Sequence, residues 1–116
     1  YENTLKNIDG LENVTLLKMT SVDFSNTLTD QLVDLMNVGW VLIDGSHHYN
    51  DVINDAHMAM RLIGNKQGGI VFDDANLPGV GQAYQEFMRT YSNQISEPID
   101  IYDEHPGHIL AHYINP

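Results

Sequence analysis

The chain has 116 residues, with 5 Lys+Arg against 16 Asp+Glu, for a formal charge of −11. That balance excludes a nucleic-acid backbone or an anionic membrane as partner, since both need a basic surface. Apolar residues make up 42% of the chain, enough for one core, and the absence of Cys excludes disulfides and thiolate metal sites.

No apolar run reaches the roughly 18 residues of a membrane span, and no signal-peptide pattern opens the sequence, so the expected location is the cytoplasm. The sequence opens on Tyr1 rather than Met, as a trimmed or partial chain would. No internal repeat or linker is visible, and residues 1–116 read as a single domain.

In chain order, Glu2 to Ile8 reads as a helix end stopped by Gly10. Val14 to Met19 reads as a short apolar strand. Ser25 or Asn26 is placed to cap a helix carrying Leu28, Leu32, Leu35 and Met36 on one face. After Gly39, the run Trp40-Val41-Leu42-Ile43 is apolar on both faces, as a buried parallel strand is, and it ends in Asp44-Gly45. Asn50 or Asp51 then caps a helix with Ile53, Ala56, Met60 and Ile63 in a stripe. Gly64 and Gly68-Gly69 read as turn glycines. Ile70-Val71-Phe72 is a second buried strand, ending in Asp73-Asp74. Pro78-Gly79 leads into the most periodic helix, with Val80, Ala83, Tyr84, Phe87, Met88 and Tyr91 on one side. Pro98 to Asp103 and His108 to Ile114 read as an antiparallel pair around Pro106-Gly107. The order αβαβαβαββ predicts an α/β fold, a mostly parallel sheet with helices on its faces and an antiparallel hairpin at its end.

In such sheets ligands bind beyond the carboxyl ends of the strands. Two strands here finish in acids, Asp44 on one and Asp73-Asp74 on the next. Acids at the ends of neighbouring strands can converge on a hard cation such as Mg²⁺, and without one their repulsion is costly. Consecutive strand residues face opposite ways, so Asp73 and Asp74 can both join only if the chain turns between them. His47, His48 and Tyr49 follow directly, and a His there can orient a substrate, act as general base or bind metal. The simpler alternative is that these acids and rings cap loops and helix starts. His57 reads as a helix residue of core or surface. His108 and His112 share a strand face, but no carboxylate pattern makes them a metal pair. No Gly-x-Gly-x-x-Gly is present.

The stretch Val41 to Phe87, VLIDGSHHYNDVINDAHMAMRLIGNKQGGIVFDDANLPGVGQAYQEF, resembles the class I S-adenosylmethionine-dependent methyltransferases. It is most similar to the macrocin O-methyltransferase and cephalosporin hydroxylase-like group, written Ile-Asp-Gly-x-His-x-Tyr, helix, Gly-Gly, apolar strand, Asp-Asp. The resemblance implies a Rossmann-like sheet of order 3-2-1-4-5-7-6 with an antiparallel last strand. It implies metal binding by Asp44, Asp73 and Asp74, and cofactor contacts from Asp44, Gly45, Ser46, His47 and Tyr49, with His47 catalytic. The metal would hold a hydroxyl of a sugar or other small molecule and aim it at the cofactor's methyl group. Where some sugar O-methyltransferases carry an acid, this chain has Ser46.

The family's glycine-rich loop and second-strand acid have no counterpart here, so the chain aligns to strands three to seven. Weak cofactor binding by this chain, or none, is therefore expected, and an open edge on the Trp40 strand. Either the Val14 strand pairs with that edge or a second copy covers it, making a homo-oligomer. Two alternatives to the enzyme stand beside it: a non-catalytic module that self-associates, and a metal-dependent phosphoryl-transfer domain. The second is weakened because Asp44-Gly45-Ser46 lacks the second acid of an Asp-x-Asp loop.

Overall fold

A computed structural model describes residues 7, 9–102 and 107–116. The expected helix end at Glu2 to Ile8 lies outside these residues apart from Asn7, which is helical, and so do residues 103–106 of the expected terminal pair. The described elements are α1 (Ser21–Thr27), α2 (Asp30–Met36), β1 (Trp40–Ile43), α3 (Tyr49–Ile63), β2 (Gly68–Asp73), α4 (Pro78–Thr90), β3 (Ile99–Tyr102) and β4 (Ile109–Ile114). Among the described residues no helix is long and apolar enough to cross a membrane.

The fold is α/β around a four-stranded mixed sheet of order β1-β2-β4-β3. β1 pairs parallel to β2, with Trp40 opposite Gly69 and Ile43 opposite Phe72. β4 runs antiparallel to both of its neighbours, β2 and β3. Three strands therefore point one way and β4 alone is reversed. The α/β class, the parallel neighbours β1 and β2 and the antiparallel pair at the end of the chain are as expected, but the sheet as a whole is mixed, since β1 and β2 form its one parallel pair among the described residues. The reversed strand separates β3 from the strands it runs along.

Four further expectations are corrected. Val14 to Met19 forms no strand, and its apolar side chains Val14, Leu17 and Met19 are exposed. A strand exists through its ladder partner, and this run has none. The predicted single helix over Leu28 to Met36 is instead two short ones. Thr20 caps α1 by accepting from the Asp23 amide at 3.0 Å, and Thr29 caps α2 by accepting from the Leu32 amide at 3.1 Å. Leu28 is buried between them, while Leu35 is 81% exposed, so the expected stripe does not face the core. Helix α3 begins at Tyr49 with His48 at its N-cap, which moves Asn50 and Asp51 from cap positions into the first turn. Gly68 and Gly69 open β2 rather than forming a turn.

The core lies between the sheet and the facing sides of α3 and α4. Val52, Ala56, Ala59, Met60 and Ile63 come from α3, and Val80, Ala83, Tyr84 and Phe87 from α4. Ile70, Phe72 and Ile114 rise from the sheet to meet them. Phe72 packs against Tyr84 at 5.1 Å and against Phe87 at 5.0 Å between ring centroids. His112, on β4, is the buried polar side chain of this core. The Ser96 carbonyl, 2.8 Å away, can only accept, so Nδ1 donates to it and Nε2 accepts from the Tyr84 hydroxyl at 2.6 Å. Burial pushes the His112 pKa down and the Tyr84 hydroxyl up to about 12. Both groups are thus neutral where they are buried, and His112 serves packing, not metal binding.

β1 is the sheet's edge, and among the described residues nothing pairs with its outer side. Trp40 is 54% and Leu42 62% exposed along it, so the expected buried strand is corrected to an edge strand whose burial is confined mainly to Ile43.

Candidate functional site

β1 and β2 end side by side because they are parallel neighbours in register. Asp44 follows Ile43, and Asp73 follows Phe72, its register partner. Asp74 comes next in the left-handed conformation, with φ 56°. This is the turn that the sequence requires if consecutive acids are to face one place. Carboxylate oxygens of Asp44, Asp73 and Asp74 all lie within 4.8 Å of one another. Asp44 is exposed and the other two are half-buried.

Like charges so close disfavour full ionisation. The Asp44 carboxyl is pushed above the usual carboxylate range, first by a hydrogen bond with Asp73, then by desolvation and by the Asp73 and Asp74 charges, with His47 opposing. The three oxygens are close enough together to serve one cation as ligands. His47 is the nearest base. Its Nε2 lies 3.0 Å from Asp74 Oδ2, and its ring is 58% exposed.

Gly45 and Ser46 form the ledge beside the triad. The Ser46 hydroxyl accepts from the His48 amide at 3.1 Å, which ties the entry to α3. Tyr49 goes elsewhere. Its hydroxyl donates to Glu86 on α4 in a short bond, and its ring packs on the core. The structure therefore brings Asp44, Gly45, Ser46, His47, Asp73 and Asp74 together, and the described contacts take Tyr49 away from them.

The sequence reading missed a cleft on the other side of this ledge. It has a volume of about 250 Å³ and is lined by Thr20, Ser21, Gly45, Ser46, Asn54 and Asp55, among others. Of these, Asn54 Nδ2 and Asp55 Oδ1 are buried atoms without a hydrogen-bond partner. Such atoms are costly unless something pairs with them. Burial pushes the Asp55 carboxyl up, the Ser21 hydroxyl opposes this, and the Asp51 charge adds to it. A second cleft of about 260 Å³ shares Ser21, Gly45 and Asp55 and reaches Asp44. The signal available in the sequence was Asp51 and Asp55, like charges four apart on one helix face.

Comparison of the chain with protein-family models, with curated proteins and with solved structures gives no match in any of the three.

Proposed function

We propose that the chain is the acceptor-side portion of an S-adenosylmethionine-dependent O-methyltransferase with a divalent cation at Asp44, Asp73 and Asp74. The observation that carries this reading is the juxtaposition of two features. Three converging carboxylates lie beside Gly45-Ser46, and so does a cleft lined by Asn54 and Asp55, each of which has a buried polar atom without a partner. The strand order β1-β2-β4-β3, with β4 reversed, supports it as well. It is the order that the resemblance implies for strands four, five, seven and six.

The donor set fits a hard cation, since three carboxylates leave positions for water and a substrate oxygen. The clefts fit a polar ligand. Each is just under the roughly 300 Å³ of a small-molecule site, and they are joined along Ser21, Gly45 and Asp55. When bound, the cation would lower the pKa of an acceptor hydroxyl and S-adenosylmethionine would supply the methyl group. The chain's own residues do the rest. Gly45 and Ser46 separate the two ligands by one turn of backbone. Asn54 and Asp55 offer one donor and one acceptor to the cofactor. With Nε2 of His47 turned to Asp74, the ring's Nδ1 is the nitrogen left to take a proton from the acceptor.

An ¹⁵N-labelled sample titrated with S-adenosylmethionine tests this. Saturable shifts are expected at residues 20–22, 44–48 and 54–55, with a weak Kd of about 1 mM, worth ~4 kcal/mol. An unchanged spectrum, or shifts confined to the far end of the sheet, would remove the proposal.

A second reading, a module that pairs with its own copy, is favoured by the outer edge of β1 alone. It predicts a two-fold dimer in sedimentation at micromolar concentration, and a monomer at every concentration would end it.

A further inference from the structure

The acids end two strands, but the strands alone do not bring Asp74 and His47 together. Asp74 holds a left-handed φ of 56°, a conformation uncommon outside Gly, though Asp takes it more readily than most residues. Two glycines lie against the pair. A side-chain carbon on Gly107, just before β4, would collide with Asp74 at Oδ1, Cγ and Cα, the last at 2.8 Å. One on Gly79, in the first turn of α4, would collide with the His47 carbonyl and come within 3.3 Å of the Tyr49 amide nitrogen. The same short stretches are tied by backbone bonds. The Asn76 amide donates to the Gly107 carbonyl at 3.1 Å, and the Ala75 amide donates to the His108 carbonyl at 3.2 Å.

We propose that Gly107 and Gly79 are positioning residues. Gly107 lets the start of β4 close onto Asp74 and hold it in the left-handed turn. Gly79 lets α4 close onto the loop that carries His47. The contact at 3.0 Å between His47 and Asp74 is thus set by elements that contribute no side chain to it. This rests on the cation-site reading for its consequence. The triad depends on β4 and on the start of α4, not on the two strand ends alone.

Gly107→Ala, Gly79→Ala, Asp74→Gly and the double variant G107A/D74G test this, with three readouts. The first is the ¹⁵N shifts of the His47 imidazole at one fixed pH. The second is Mn²⁺ affinity. The third is melting temperature. Gly107→Ala and Gly79→Ala are each expected to move the His47 shifts and to lower Mn²⁺ affinity about tenfold or more, as the loss of a supporting contact does at metal sites. Asp74→Gly is expected to restore part of the melting temperature lost in Gly107→Ala, because it removes the carboxyl that the new methyl strikes. If Gly107→Ala does not fold, recovery of folding in the double variant carries the same information. Unchanged His47 shifts in a folded Gly107→Ala variant overturn the proposal, as does a double variant no better than Gly107→Ala. If the native chain takes up no Mn²⁺, the cation reading fails, while the His47 shifts and the Gly107–Asp74 coupling still decide the positioning role.

Discussion

Phe87→Ala is expected to destabilise the protein by about 3–5 kcal/mol, the range for emptying a fully buried aromatic site. Phe87 is 0% exposed and stands where α4 meets the sheet. Its ring lies 5.0 Å from Phe72, 5.4 Å from Tyr91 and 5.9 Å from His112. Collapse into the space is resisted on two sides. Phe72 is fixed by its strand, and His112 by hydrogen bonds at both ring nitrogens. Small domains have only about 5–15 kcal/mol in all, so this one change consumes a large share. Urea unfolding followed by circular dichroism measures it. A loss under about 1 kcal/mol would mean that α4 does not pack on the sheet as described.

Asp44→Asn is expected to act in opposite directions with and without a cation. Without one, the substitution removes one of three crowded carboxylates, and the new amide can donate to Asp73. The variant should then melt at a higher temperature than the native chain. With Mg²⁺ or Mn²⁺ at a hundred times its Kd, the native chain gains about 2.7 kcal/mol. For a domain of this size that is on the order of 10 °C, and the variant should gain little of it. The two melting curves should therefore change order when cation is added. Acid should erase the native gain, because the raised Asp44 pKa means that protons compete with the cation. Curves that keep their order in saturating cation would count against Asp44 as a ligand.

What the sequence made legible follows a physical line. Trp40–Ile43, Ile70–Phe72 and the helix bearing Val80 to Phe87 were readable because each carries its signal locally, as an apolar run or a 3.6-residue stripe. So was the placement of acids at strand ends. Val14 to Met19 carries the same kind of run, but a strand needs a neighbour, and no local pattern says whether one is there. Cap choice failed for a related reason. Ser25, Asn26, Thr20 and Thr29 are all competent caps, and where Leu28 is buried decides which are used. The turn at Asp74 depends on Gly107, some thirty residues on, and the cleft at Asn54 and Asp55 depends on α1 folding over α3. Contacts at that range leave no periodicity in the chain.

Asp44, Asp73 and Asp74 are proposed to form one divalent-cation site. Calorimetric titration of Mn²⁺ into the native chain at neutral pH and low salt tests it most directly. Saturable binding of one ion per chain is expected, with competition by Mg²⁺ and a loss of about 100-fold or more in Asp44→Asn and Asp73→Asn, since even outer partners of a metal site are worth about 10–100-fold. Absence of saturable binding by the native chain, or equal binding by the native chain and both variants, would contradict it.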